Sequence, residues 1–423
     1  MKLIRMKKHL LVALFSLALF QCSLSECYAG TTTKAKTITP PPPSGYFVDH
    51  YKNNSAAHTT VNSNPAIGVL SEFSKLWTRG STWDSGTKLN SSVLDANIQK
   101  VVDIAERRTS AEENAAYFDD RRNQSYSVID GLGPLTDIYR KRAGATTTIN
   151  SIPADAAIKK YNDEGTNSGS ASSSLGSIVS LVNTLRGTYS STNPAKGYFN
   201  YPRPFRWKSD SIIVPSLVPV INPDPGKDGG FPSGHTNAAY LSAFAMAYAI
   251  PERYQELLTR ASELGNNRIA AGMHSPLDVM GGRVMATALA AAILSDPANK
   301  SLKKAAYDEA HSKLLTQTGT AEDRFSDYDK NKKQYTQRLT YGFGQIKSTA
   351  KPIAVPKGAE VLLETRFPYL AKTQRRWILA TTGLPSGKRH GSFSSIETSG
   401  LPSKYKVKMI YKSNSIQLKV AEN

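Results

Sequence analysis

Two stretches of this 423-residue chain, Asn237 to Ala249 and Gly282 to Leu294, contain apolar runs that leave few options for where they can sit. Each run is about 12 residues long, well short of the roughly 20 that a membrane-spanning helix needs, so both read as helices of a protein core. Between them, Pro251 to Leu264 reads as a third helix, opened by a proline where a missing N–H costs least. From Ala66 to Ala143 apolar residues recur at helical spacing, as in Leu94, Ile98, Val101, Val102 and Ala105, and β-alternation is scarce. The Ser/Gly-rich stretch Thr166 to Ser177 reads as a mobile surface loop before a helix from about Ile178 to Leu185. The expected fold is mainly α.

The ends of the chain differ in character from this middle. Lys2, Arg5, Lys7 and Lys8 followed by the apolar run Leu10 to Phe20 have the form of an export signal, with cleavage expected after Ala29 or earlier after Ser25. Gln21 and Glu26, which precede Cys22 and Cys27, disfavour lipidation at either cysteine. Both cysteines fall inside this segment, so the mature chain is expected to lack a disulfide framework, thiolate catalysis and cysteine-ligated metal. Residues 30–46, with Pro40 to Pro43, read as an extended linker. Residues 47–298 form the expected helical domain and residues 299–423 a basic C-terminal region. Of the formal net charge of +19, most belongs to that last third, which points to an anionic substrate or surface, or simply to a well-solvated basic tail. Near its end, Tyr405, Val407, Met409 and Tyr411, then Ile416, Leu418 and Val420, alternate as a β-hairpin would.

Three short blocks in the helical half share one chemical logic. Lys196 is followed after six residues by Arg203 and Pro204; Pro232, Ser233, Gly234 and His235 run directly into a helix; Arg268 is followed after five residues by His274 and after three more by Asp278. A phosphate ester carries up to two negative charges, and its transition state spreads charge over three equatorial oxygens, so fixed donors must surround it. Arg203 and Arg268 offer forked N–H pairs and Lys196 a compact charge. Ser233 adds a hydroxyl, Gly234 permits close backbone approach, and the helix that follows points its N–H groups at the anion. His274 is the candidate nucleophile, with Asp278 accepting from one ring nitrogen if the segment is helical and begins near Pro276. His235 is the candidate acid for the leaving alcohol and then the base for water; this role requires it to be charged in the free enzyme and predicts an acidic to near-neutral optimum.

Taken singly, each block has a structural explanation: a turn with a helix cap, a surface His/Asp pair, or aromatic packing by Tyr198, Phe199, Tyr201 and Phe205. All three in this order, with helical pattern beside the last two, are hard to explain by composition. His50, His58, His311 and His390 have no partner at metal-ligand spacing, and no metal site is expected. Asp119 and Asp120, followed by Arg121 and Arg122, read as a solvated ion-pair face. A second Pro-Ser-Gly at Pro385 to Gly387 continues into Lys388 and does not repeat the phosphate block.

These blocks resemble the signature of the type 2 phosphatidic acid phosphatase superfamily, which includes bacterial class A non-specific acid phosphatases and vanadium haloperoxidases. Its pattern, Lys-x6-Arg-Pro, Pro-Ser-Gly-His and Ser-Arg-x5-His-x3-Asp, is met throughout except at Asn267, where the family has Ser. The resemblance implies an all-helical core, phosphate held by Lys196, Arg203, Ser233, Gly234 and Arg268, nucleophilic His274 and acid His235. It is strong over Lys196 to Asp278 and extends to Phe47 to Asp296 as a domain; near Val361 to Gly387 the chain also resembles longer exported members.

The expected function is that of an exported, periplasmic or secreted, acid phosphatase acting on a small phosphorylated substrate without a cofactor. A vanadium-dependent haloperoxidase, in which His274 would ligate vanadate, is the competing reading, since motif logic alone does not separate the two. A soluble lipid-phosphate phosphatase is another, with the basic tail docking on an anionic membrane surface. A catalytically idle envelope-binding module is disfavoured by the intact catalytic side chains. Nucleic-acid binding by the tail is disfavoured because Phe367, Tyr369, Trp377, Tyr405 and Tyr411 are as readily explained by packing.

Overall fold

The helix ends of this chain are marked by capping chemistry that its sequence carries locally. In the computed structural model, which describes residues 46–208, 212–343, 355–383 and two strands near the end, helix α1 (Ser91–Arg107) starts where the Asn90 side chain accepts from the Val93 amide. Helix α2 (Ser110–Arg121) starts on a reciprocal capping box between Thr109 and Glu112. After α3 (Gly176–Leu185) and the short α4 (Asn193–Phe199) come the three helices that make the centre: α5 (Gly234–Ala249), α6 (Tyr254–Ala270) and α7 (Pro276–Ser295). The signal segment, nearly all of the linker, Pro385 to Gly387 and His390 lie outside the described residues.

Every side chain of α5 from Thr236 to Ala249 is buried, and so is every one of α7 from Pro276 to Leu294. A helix apolar all round needs neighbours on every side. Helix α5 has them: it packs against α3, α6 and α7. By length and mean hydropathy α7 could cross a bilayer, but its surface is wholly covered by protein. It is about two turns longer than the apolar run alone predicts. Pro276 and Asp278, which look like interruptions, occupy the first turn, where a missing N–H and a carboxylate are both favourable. Gly282 allows the close crossing of α7 and the start of α5, since a Cβ there would lie 2.5 Å from the Ser233 carbonyl oxygen.

The earlier segment is helical as expected, with Leu94, Ile98 and Val101 buried, but it also contains a small strand pair, β1 (Trp77–Thr78) with β2 (Thr87–Lys88). The Ser/Gly-rich stretch differs from the free loop expected. Ser170 donates its amide to the Ala143 carbonyl at 2.8 Å, and the Tyr139 hydroxyl donates to the buried Ser168 carbonyl at 3.2 Å, so its backbone is tied to the end of the preceding helix.

The packed core runs on past residue 299. Helix α8 (Lys300–Glu309) lies on α3, and its Glu309 carboxylate accepts from the Ser177 and Ile178 amides, where an anion satisfies otherwise free donors. Helix α9 (Tyr328–Thr340) packs on α6. Residues Ala359–Leu363 cover part of α7, and α10 (Lys372–Thr382) holds them there, with Arg376 donating to the Val355 and Pro356 carbonyls and pairing with Glu360 at 2.8 Å. The expected hairpin is present: β3 (Tyr405–Lys412) and β4 (Ser415–Glu422) pair antiparallel, with Val407 opposite Val420, Met409 opposite Leu418 and Tyr411 opposite Ile416.

Candidate active site

Five local structures deliver the eight residues singled out in the sequence. Lys196 comes from α4. Arg203 caps the turn that follows, just before Pro204. Ser233, Gly234 and His235 form the start of α5, where Ser233 is the N-cap and its Oγ accepts from the Thr236 amide and hydroxyl. The first-turn amides of a helix have no acceptor within it, so those of Gly234 and His235 are donors available to an anion. Arg268 lies in the last turn of α6, and His274 and Asp278 straddle the start of α7.

The join between α6 and α7 sets the relation between the last three. Gly272 adopts φ +75°, and a Cβ there would sit 2.3 Å from the Ile212 carbonyl oxygen, so the tight reversal demands glycine. Arg108 secures the same corner by donating to the carbonyls of Ile212, Ile213 and Ala270. The His274 amide then returns to the Arg268 carbonyl at 3.1 Å. The His/Asp pair is therefore not a pair on one helical face. His274 lies outside α7, while Asp278 is its third residue and closes a capping box with Ser275, accepting the Ser275 amide at 2.8 Å on Oδ2.

His274 Nδ1 lies 3.4 Å from Asp278 Oδ2, and its Nε2 lies 3.0 Å from Arg203 Nη1. A guanidinium can only donate, so Nε2 is the acceptor and the ring proton belongs on Nδ1, directed at Asp278. This tautomer leaves the Nε2 lone pair on the side of the cations. Burial, reinforced by Arg203, Lys196, Arg268 and His235, holds the imidazole well below its ordinary pKa, and hence neutral. Burial also raises the Asp278 carboxyl, against the Ser275 amide and Lys196. Burial and then Arg203 depress Lys196, whose ammonium donates to the Gly229 carbonyl.

His235 departs from expectation. Burial and the Arg268 charge, opposed by Asp120, bring it down to about 3, so in the free site it is neutral rather than charged. Besides burial, the crowd of cations disfavours its charged form, an effect that an incoming dianion would oppose. Its Nε2 lies 3.2 Å from the Asp120 carbonyl oxygen.

Asp119 and Asp120 are not on a solvated face. Both are buried, and each reaches α6: Asp119 takes a two-pronged bond from Arg260 at 2.6 and 2.9 Å and one from Asn267 at 2.7 Å, while Asp120 pairs with Arg268 and, at 3.0 Å, with Arg121. Despite its burial, Asp120 is held down to about 2 by Arg268, His235 and Arg121. Asn267, where the family pattern has Ser, thus still donates a hydrogen bond. Asp228, also missed in the sequence, orients Arg203 through its Nε at 2.6 Å. The signal for Asp119 and Asp120 was their position three and four residues after the buried Ala116, on the face of α2 turned to the core. A separate cleft of about 250 Å³, lined by Tyr51, Tyr189, Asp296 and Asn299 among others, shares no residue with this cluster.

A neutral imidazole whose free nitrogen faces two guanidiniums and an ammonium, beside a helix N-terminus and a second imidazole, is equipped to take a phosphoryl group. Residues 177–301, which contain all eight positions, match the family model described as the PAP2 superfamily. Over that stretch the chain is similar to the PAP2 superfamily. Over 126 residues it is 38% identical to a non-specific acid phosphatase of Salmonella typhi, a stretch covering 29% of this chain and 49% of that protein. An acid phosphatase of Zymomonas mobilis subsp. mobilis is 32% identical over 116 residues, 27% of this chain and 42% of the relative. A non-specific acid phosphatase of Providencia stuartii is 38% identical over 80 residues, 19% of this chain and 32% of the relative. The chain thus spans about half the length, or less, of the curated relatives it matches. The family match ends at residue 301, before α9 and α10.

Proposed function

We propose that this protein is an exported acid phosphatase that hydrolyses phosphate monoesters through a phosphohistidine. The observation that carries this reading is the setting of His274, with Nδ1 3.4 Å from Asp278 Oδ2 and Nε2, which accepts from Arg203 at 3.0 Å, among the charges of Arg203, Arg268 and Lys196. Phosphate would be held by those three cations, the Ser233 hydroxyl and the amides of Gly234 and His235. Nε2 attacks phosphorus as the ester P–O bond breaks in line, and His235 gives its proton to the departing alkoxide. Water then attacks phosphorus, passing its proton to His235 as the P–N bond breaks, which returns both imidazoles to their starting states. The bound dianion supplies the negative charge that lets His235 hold a proton. The names of the three relatives support the phosphatase class, and the signal-like N-terminus supports export.

The test is hydrolysis of a chromogenic phosphomonoester by the mature protein and by His274→Ala. Loss on the order of 10⁴-fold or more in kcat is expected, as for removal of a nucleophile from a cooperating set. A phosphorylated species trapped by acid quench should be present in the wild type and missing in the variant. Full activity in His274→Ala would overturn the mechanism.

A further inference from the structure

Three buried polar atoms, Asp278 Oδ1, the Tyr201 hydroxyl and Asn97 Nδ2, make no hydrogen bond of normal geometry, and they are neighbours, since the Asn97 amide and the Asp278 charge both act on the Tyr201 hydroxyl. All three residues are wholly buried. Native interiors rarely tolerate one such atom, and three in one place call for a shared explanation. Their positions are fixed by separate contacts. Asn97, on α1, accepts the amide of Leu277 on Oδ1 at 3.0 Å, which fixes its side chain against the first turn of α7. Tyr201 is held by edge-on packing against Phe73 and Trp77, and its carbonyl accepts the Gly230 amide at 2.6 Å. Gly230 in turn lies so close that a Cβ would be 3.1 Å from Asp278 Oδ2 and 3.3 Å from the Tyr201 carbonyl oxygen. Burial, the Asp278 charge and the Asn97 amide all act on the Tyr201 hydroxyl, and the net effect raises its pKa.

We propose that Tyr201 and Asn97 are positioning residues for His274, acting through one internal water that joins the Tyr201 hydroxyl, the Asn97 amide and Asp278 Oδ1. The inventory fits: water accepts from Asn97 Nδ2, donates to Asp278 Oδ1 and exchanges its third bond with the tyrosine, the three partners typical of a buried water. Asp278 then has both oxygens engaged, Oδ2 by Ser275 and His274 and Oδ1 by the water. Its orientation is fixed, and its ionised form is favoured over the neutral one. The charged and titratable groups facing it are His274 from the α6–α7 corner, Lys196 from α4, Arg203 from the following turn and Tyr201 itself. The proposal rests on the phosphohistidine reading for its kinetic consequence, but not for its structural one.

Two readouts test it on the full chain. Tyr201→Phe deletes only the hydroxyl. Its kcat should fall about 10-fold, the lower end for groups that orient a reacting side chain from behind, with KM within about two-fold. The acid limb of the kcat profile should move to higher pH, because a carboxylate that has lost a donor protonates more readily. Tyr341→Phe, which removes another buried hydroxyl among Arg338, Arg283 and Tyr335, should do none of this. In protein labelled with ¹⁵N-histidine, the Nδ1–H proton of His274, identified by its disappearance in His274→Ala, should shift in Tyr201→Phe and not in Tyr341→Phe. An unmoved resonance overturns the proposal whatever the activity does. Full hydrolysis by His274→Ala would instead sink the mechanism while leaving the resonance result standing.

Discussion

The two basic regions of this molecule handle charge in opposite ways. Around His274, Lys196 and Arg203 are half-buried and Arg268 is buried, and each is matched by a carboxylate or a backbone carbonyl. In the C-terminal third, Lys330, Lys332 and Lys333 lie on the outer side of α9 and Lys304 makes only an exposed pair with Asp308 four residues on. Most of the net charge belongs to the second region, yet the cations held in fixed positions beside a helix N-terminus are in the first. Net charge tells how a chain behaves in a field; it does not locate a binding site. What does locate one is the expense of burying cations, which is tolerated only where a fixed partner or a ligand compensates them.

The comparison breaks most visibly if the buried pairing is removed. Asp120→Ala leaves Arg268 without its acidic partner, and a loss of about 3–5 kcal/mol in unfolding free energy is expected, as for other broken buried pairs. Chemical denaturation would measure it, and phosphatase activity should fall with it because Arg268 loses the carboxylate that orients it.

A smaller effect concerns protons. An anion in the site raises the pKa of His235, now about 3, and raises Lys196 and Asp278 in the same direction. The bound state therefore holds more protons than the free state, and affinity falls as pH rises. Sulfate, a tetrahedral dianion that does not titrate between pH 4 and 8, is the cleanest probe. Its affinity should drop by up to about 10-fold per pH unit for each proton taken up, with the same number given by calorimetry in buffers of different ionisation enthalpy. Affinity independent of pH would mean that these groups do not respond to the anion.

The smallest effect is expected outside the site. Reversing charge with Lys332→Glu and Lys333→Glu on α9 should change stability by less than about 0.5 kcal/mol and kcat by less than two-fold. A large loss of activity would show that the exposed basic face takes part in substrate capture, and would erase the distinction between the two regions.

Much of this was legible in the sequence, for physical reasons that differ from part to part. The central helices were visible because an apolar run needs burial wherever it occurs, and the motif residues because their spacing is local. The start of α7 at Pro276 was legible only through the demand of the His274/Asp278 pair, because the apolar run itself begins at Gly282 and Pro276 and Asp278 favour a first turn rather than a helix interior. Asp119, Asp120 and Asp228 were invisible as site residues because each meets its partner only through the fold; Asp120 and Arg268 are 148 positions apart. Asn97 and Tyr201 carry no motif at all. The Asp119/Asp120 pair was misread because the rule that charged residues face water was applied without the helical phase set by Ala116.

The corner at Gly272 ties catalysis to the deepest part of the protein. His274 is suspended between two buried helices rather than on a surface loop, so the chain around it has no shallow opening reaction of its own. Fraying, proteolytic nicking and slow solvent exchange should begin elsewhere, and the site should persist until the central helices part. For such an enzyme the working lifetime at a given temperature is the lifetime of the fold itself.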